Sequence, residues 1–144
     1  MTDATKDTAR AVVERLFQAT NDHDVEGIVA CFAPGYHCEM PLHPGRSFTG
    51  NDQVRRNWTQ ILGGVPNLTA AVTSMVTDGD SIWVEQEHVG TRRDGQPHLM
   101  RGVIRFHVAD GLIDGARFYL EPVVEGGPGL DAVIADAVAG EPAS

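Results

Sequence analysis

The chain has little cysteine, few basic residues and no long hydrophobic run. Two of its 144 residues are cysteine and 11 are lysine or arginine, against 20 aspartates and glutamates. Cys31 and Cys38 are too few for a disulfide framework, so the sequence predicts a reducing, cytoplasmic setting. The net charge of -9 argues against nucleic acid and anionic membranes as partners, since both need basic patches. No stretch approaches the roughly 20 apolar residues of a membrane span, and the polar start Met1–Asp7 predicts no signal peptide.

The composition present is that of one globular domain. Hydrophobic residues make up 42% of the chain and charged residues 22%, and this length can bury a substantial core. We therefore expect a single domain over residues 1–144, with its core at about 8–121. Residues 122–144 are expected to form a Gly- and Pro-rich linker and a short terminal helix, which could pack on the domain or over its mouth.

Helical periodicity dominates the first half of the sequence. Apolar residues recur at helical spacing in Thr8–Thr20, which predicts a first helix. Asp24 is a suitable N-cap for a short second helix that ends before Pro34. A third helix is expected from Gly50 to the Gly63-Gly64 pair, with Trp58 on its apolar stripe.

The second half of the sequence changes to the period of two that indicates strands. Four long strands are expected over residues 68–77, 81–91, 98–108 and 112–121, joined by tight turns into an antiparallel meander. A shorter strand, Tyr36–Leu42, precedes them, and Pro41 confines it to an edge or ends it early. Helices first and an antiparallel sheet second predict an α+β fold.

Carboxylates in two of these strands are the main functional signal. Glu85 and Glu87 share a strand face with Trp83, and Glu39 shares a face with His37. Carboxylates on a buried face are costly unless they are paired, neutralised or used. The pattern therefore predicts a lined pocket in which burial raises carboxylate pKa values, so that one glutamate stays protonated as an acid while another acts as a base. Glu87 and Glu39 are the expected acid and base, with His37 and Glu85 tuning them.

The same residues allow a structural interpretation. If the strand faces the other way, Glu85 and Glu87 lie on the outer face and form cross-strand ion pairs with Arg101 or Arg105. The alternative for Trp83 and Phe118 is that they fill the core and do not contact a ligand.

Metal and cofactor signals are weak. His37, Glu39, His43 and His88 are of ligand type, but they show no recognised ligand spacing. No glycine-rich phosphate loop follows a strand. The sequence therefore predicts neither a metal nor a cofactor.

The order of the elements, with three local patterns, resembles the nuclear transport factor 2-like superfamily. The patterns are Asn21-Asp22-His23-Asp24, the segment from Glu39 to Pro44 that leads into Phe48-Thr49-Gly50, and Asp110-Gly111-Leu112-Ile113. The superfamily includes ketosteroid isomerases, SnoaL-like polyketide cyclases and limonene-1,2-epoxide hydrolases. The resemblance implies a cone-shaped barrel of a curved antiparallel sheet wrapped around N-terminal helices. It also implies an apolar cavity and a homodimer formed through the sheet.

The resemblance also implies where a ligand would bind. The residues expected to contact a small hydrophobic molecule are Trp58, Trp83, Ile104, Phe106 and Phe118. The epoxide hydrolase catalytic set is not kept, since Glu85 stands at its arginine position and Phe118 at one of its aspartates. The expected function is that of a cofactor-independent acid/base enzyme, an isomerase, cyclase or hydrolase, acting on a hydrophobic ring compound. The alternatives are a non-catalytic protein that binds a hydrophobic ligand and a dimeric interaction module.

Overall fold

A computed structural model describes residues 3–140, with side chains described from residue 8 onward. The first two residues and residues 141–144, which the sequence places at the ends of the expected domain, lie outside the described part. The helices are α1 (Asp3–Asn21), α2 (Val25–Val29), α3 (Asn51–Gly64) and α4 (Leu130–Ala139), with a 3-10 turn at Pro44–Arg46. The strands are β1 (Phe32–Glu39), β2 (Phe48–Thr49), β3 (Thr69–Asp78), β4 (Ser81–Thr91), β5 (Pro97–Ala109) and β6 (Leu112–Pro122).

The six strands form one curved, unclosed sheet in the order β2-β1-β6-β5-β4-β3. The predicted meander is confirmed, because β3, β4, β5 and β6 pair antiparallel in sequence order. β1 joins the far side by pairing parallel to β6. The α+β cone predicted from the sequence is therefore the fold of the chain.

β1 begins earlier than the sequence suggested. The prediction started this strand at Tyr36, whereas the structure starts it at Phe32 and ends it at Glu39, before Pro41. The pairing with β6 shifts register between Phe32 and His37, and Pro34 lies inside this irregular stretch. Because proline has no N–H to donate, the ladder is interrupted at Pro34 and resumes at His37.

Helices α1 and α3 cover the concave face of the sheet. Val12 and Val13 of α1 are fully buried against it. Asp24 caps α2 as predicted, and its carboxylate accepts a hydrogen bond from the backbone N–H of Gly27 at 3.0 Å. α3 ends at Gly64, as the glycine pair predicted. In the part of the chain that the structure describes, no helix covers the convex face of the sheet.

The inward face of β4 is the opposite of the one we expected. Ile82 and Val84 are buried on the concave side. Gln86 and His88, which follow on the same strand face, are also buried and point inward. Trp83, Glu85 and Glu87 therefore lie on the convex side. The prediction that these three residues face the interior is wrong.

The terminal helix α4 forms where the apolar spacing predicted it. It does not pack on the domain, however, since every residue from Leu130 to Ala139 is exposed, and Leu130 itself is 73% exposed. No helix within residues 3–140 is long and apolar enough to cross a membrane.

Candidate functional site

A cavity of about 580 Å³ lies between the concave face of the sheet and helices α1 and α3. This volume is within the range of small-molecule pockets, and such pockets are usually apolar with a few placed polar groups. The cavity wall follows that pattern. Its apolar members include Leu16, Phe17, Phe32, Met40, Leu42, Phe48, Val54, Trp58, Ile61, Met100, Ile104, Phe106, Phe118 and Leu120.

Four of the five residues expected to bind a ligand line this cavity, namely Ile104, Phe106, Phe118 and Trp58. Their contact with a ligand stays a prediction. The fifth, Trp83, does not line the cavity. It is 40% exposed on the convex face, where the guanidinium of Arg105 lies over its ring at 5.4 Å from the centroid. Its contact is a cation–π interaction between neighbouring strands.

The two acids of β4 also lie outside the cavity. The carboxylate of Glu87 forms an ion pair with Nε of Arg101 at 2.7 Å, and Glu85 accepts a hydrogen bond from the hydroxyl of Thr73 at 2.8 Å. The structural alternative that paired Glu87 with Arg101 across the strands is thus confirmed. The expectation that Glu85 and Glu87 line a dry pocket is wrong, because alternation along the strand gives the inward positions to their neighbours.

The two predicted site residues of β1, His37 and Glu39, also lie outside the cavity. His37 is exposed, and its Nδ1 lies 2.9 Å from the hydroxyl of Thr49 on β2. Glu39 is also exposed, with its carboxylate 3.7 Å from a guanidinium nitrogen of Arg117. Tyr36 takes the inward position and lines the cavity instead. His37, Glu39, Glu85 and Glu87 therefore do not converge on a common void.

The polar residues that do face the cavity from β4 are Gln86 and His88, which were not among the site residues predicted from the sequence. Both are buried, and Nε2 of His88 lies 2.9 Å from Oε1 of Gln86. The amide nitrogen of Gln86 donates to the carbonyl of Val84 at 3.1 Å, which directs its oxygen at the histidine. Because an amide oxygen can only accept, the hydrogen bond requires the proton of the imidazole to be on Nε2. Their phase with Ile82 and Val84, together with the lower cost of burying an amide and an imidazole than two carboxylates, was the signal that could have identified them.

The environment of His88 favours the neutral imidazole. Burial, helped by the nearby charge of His98, lowers the pKa of His88 from 6.5 to about 4. The ring is held edge-on to Phe17, with centroids 6.4 Å apart, and beside Trp58 at 6.1 Å. Among the described residues no group hydrogen-bonds to Nδ1, and His88 lines the cavity. His88 thus offers a lone pair to whatever occupies the cavity.

Tyr36 contributes a further polar group to the wall. It is buried, and burial, with a smaller contribution from the adjacent Cys38, raises its pKa well above 10. The pKa of the Cys38 thiol is likewise raised by burial, to about 11. Both groups are therefore uncharged near neutral pH, and the phenol is a potential hydrogen-bond donor.

His43, Arg46 and Glu121, lining residues that are partly or fully exposed, mark the mouth of the cavity. His43 and Glu121 lie there with 3.1 Å between Nε2 and the carboxylate, and Arg46 lies on the same rim. Glu121 is the only carboxylate among the described lining residues. No cluster of three His, Cys, Asp or Glu side chains suited to a metal ion occurs in the described part of the chain.

The comparison with known proteins agrees with this architecture. The profile of the family described as "SnoaL-like domain" matches residues 13–116, whereas no curated protein matches the chain.

Several solved structures are similar in fold. A Jannaschia protein proposed to be a SnoaL-like polyketide cyclase has a TM-score of 0.68 at 20% identity, covering 94% of each chain. A Mycobacterium tuberculosis epoxide hydrolase of the limonene type has a TM-score of 0.68 at 18% identity, covering 79% of this chain and 83% of its own. A second M. tuberculosis protein, crystallised with estradiol-17β-hemisuccinate, has a TM-score of 0.67 at 21% identity. The match covers 78% of this chain and 92% of its own.

Proposed function

Because the chain belongs to the SnoaL-like domain family, we propose that its cavity binds a small hydrophobic ring compound and catalyses proton transfer on it without a cofactor. The reaction class is isomerisation, cyclisation or water addition, in keeping with the cyclase and hydrolase among the structures of similar fold. The observation that carries the proposal is a neutral histidine in a largely apolar cavity, with its tautomer set by a buried glutamine.

His88 is the proposed catalytic residue. Its Nδ1 lone pair accepts a proton, or a hydrogen bond, from the ring compound. The amide oxygen of Gln86 accepts a hydrogen bond from Nε2–H and so orients the imidazole. Ile104, Phe106, Phe118 and Trp58 form the apolar contacts to the compound. General base catalysis by one positioned side chain contributes roughly 10²–10⁴-fold in rate.

Deuterium exchange tests this proposal, because proton abstraction is detected whichever product the reaction forms. Ring ketones with acidic α-protons, androstenedione among them, are incubated with the protein in D2O, and α-deuteration is followed by NMR. We expect protein-dependent exchange that falls by roughly 10²–10⁴-fold in His88→Phe, which keeps an aromatic ring but has no base. Gln86→Leu, which removes only the orienting partner, should reduce exchange less.

Glu87→Gln is the matched control, because Glu87 neighbours both residues in sequence but lies on the convex face. It should exchange as fast as the wild-type protein. Equal exchange rates in wild type and His88→Phe would contradict the proposed role of His88. Loss of exchange in Glu87→Gln alone would indicate that catalysis takes place on the convex face.

A second candidate function is non-catalytic sequestration of the same class of compound. The favouring observation is that a pKa of about 4 makes His88 a weak base, and Glu121, the carboxylate of the lining, already lies against His43. If ring compounds bind with unchanged affinity in His88→Phe and no ketone exchanges, sequestration is the better description.

We further propose that the convex face is covered by a second copy of the chain. Val76 and Trp83 are cross-strand neighbours on this face, exposed by 60% and 40%. Arg117, also on this face, keeps a buried Nε without a hydrogen-bond partner among the described residues. Sedimentation equilibrium should show a dimer that Trp83→Glu converts to a monomer, and a monomeric wild type at micromolar concentration would contradict this.

A further inference from the structure

A second depression, of about 390 Å³, adjoins the ligand cavity at the surface. Gln60, Ile61 and His98 line both spaces. We call this depression the arginine groove, because its other walls include Arg92 and Arg93 from the β4–β5 turn. Because Gln60, Ile61 and His98 line both spaces, the cavity and the groove are direct neighbours at His98.

The arginine groove is locally positive in a chain of net charge -9. Arg92 forms an ion pair with Asp94, which is the carboxylate of the groove wall. Arg93 has no carboxylate partner among the described residues, and its Nε donates to the carbonyl of Gly63 at 2.6 Å. This bond fixes the guanidinium against the end of α3, so that its charge is held beside the groove at little further cost in side-chain entropy.

We propose that the arginine groove binds the carboxylate of a ring compound whose apolar body lies in the cavity. The inference rests on the proposed function, and it specifies the ligand class as amphipathic anions. Arg93 supplies the unneutralised charge, and Arg92 contributes donors not used by Asp94. Guanidinium groups suit this role because their paired N–H groups match the two oxygens of a carboxylate.

The hydrogen bond from Arg93 to Gly63 also allows a purely structural role at the end of α3. A basic side chain at the last carbonyls of a helix stabilises the helix end without any ligand. That role predicts a lower melting temperature on substitution, but no change in preference between a charged and an uncharged ligand. Ligand charge preference is therefore the readout that separates the two.

The test uses pyrenebutyrate and its uncharged amide, which differ in charge but hardly in size. Dissociation constants are measured by fluorescence for the full chain at low and at moderate ionic strength. At low salt the carboxylate should bind roughly three- to tenfold more tightly than the amide. Arg92→Gln and Arg93→Gln should each reduce this preference, whereas Arg93→Lys, which restores the charge, should retain most of it. Added salt should weaken the preference.

Arg101→Gln is the matched control, because Arg101 lies on the convex face with Glu87, and it should leave the preference unchanged. The inference is overturned if the wild type binds both ligands with equal affinity. It is also overturned if the preference for the carboxylate persists in both Arg92→Gln and Arg93→Gln. Either result leaves the proposal of ligand binding in the cavity intact. If neither ligand binds, the proposed function fails and this inference fails with it.

Discussion

His88 and Gln86 form one hydrogen-bonded pair on the concave face of β4, with 2.9 Å between the imidazole Nε2 and the amide oxygen. The two residues are two positions apart on the strand, so their side chains point the same way. The pair is buried under Phe17 and Trp58, which makes protonation of the histidine unfavourable. A neutral base with a set tautomer is thus built into the fold itself.

The depressed pKa of His88 predicts how stability depends on pH. Unfolding restores a pKa near 6.5, so below that value the unfolded chain binds a proton that the folded chain does not take up until about pH 4. The free energy of unfolding should therefore fall as pH drops from 6.5 to 4, by about 3 kcal/mol from this residue. Urea unfolding of wild type and His88→Phe across this range gives the measurement. Parallel curves for the two proteins would contradict the depressed pKa.

Gly102 in β5 should not tolerate a side chain. Its φ is +151°, and a Cβ there would lie 2.0 Å from the carbonyl oxygen of Tyr119 on β6. We expect Gly102→Ala to reduce the free energy of unfolding by roughly 2–4 kcal/mol, because backbone must move to admit it. Gly115→Ala is the control, since its Cβ meets only ordinary contacts at 3.7 Å. Similar denaturation midpoints for the two variants would show that the strands can separate at Gly102.

The terminal helix α4 should contribute little to stability. Every residue from Leu130 to Ala139 is exposed, so ending the chain after Gly129 removes little packing of the described residues. The melting temperature should change by less than about 2 °C, the shift expected for a fraction of a kcal/mol. Truncation after Leu120, which cuts into β6, is the destabilising control. A loss of roughly 5 °C or more for the shorter truncation would mean that α4 packs on the chain in solution.

Filling the cavity should block binding without unfolding the protein. Leu120 lines the cavity and is half-buried, so Leu120→Trp places a large ring in the free volume. The affinity for pyrenebutyrate amide should fall at least roughly tenfold, a loss of about 1.4 kcal/mol. Tyr119→Trp on the outer face is the matched control and should bind normally. Unchanged affinity in Leu120→Trp would place the ligand elsewhere.

The helices and the meander could be predicted because their signals are local. Asp24 as an N-cap, the Gly63-Gly64 stop and the period-two pattern of β3 to β6 each depend on a few neighbouring residues. The start of β1 was less accessible. Pro34 suggests a boundary between the second helix and the strand. Phe32 belongs to the strand only because β1 pairs with β6, and this long-range contact has no local signal.

The face of β4 could not be decided by apolar alternation alone. One face carries Ile82 and Val84 with two polar residues, and the other carries Trp83 and Val89 with two glutamates. The large aromatic favoured the wrong face. The cost of burial favours the right one, because a neutral amide and an imidazole lose less on leaving water than two carboxylates do. The packing of α1 and α3 over the sheet then identifies this face as the cavity side.

Methyl NMR of the methionines tests ligand binding in the cavity most directly. Met40 and Met100 line the cavity, whereas Met75 on β3 does not, so one labelled sample carries both reporters and an internal reference. On titration with pyrenebutyrate amide, we predict that the Met40 and Met100 methyl signals shift in a saturable manner while the Met75 signal stays in place. A shift of Met75 alone, or no shift of any of the three at saturation, would contradict a ligand site inside the cone.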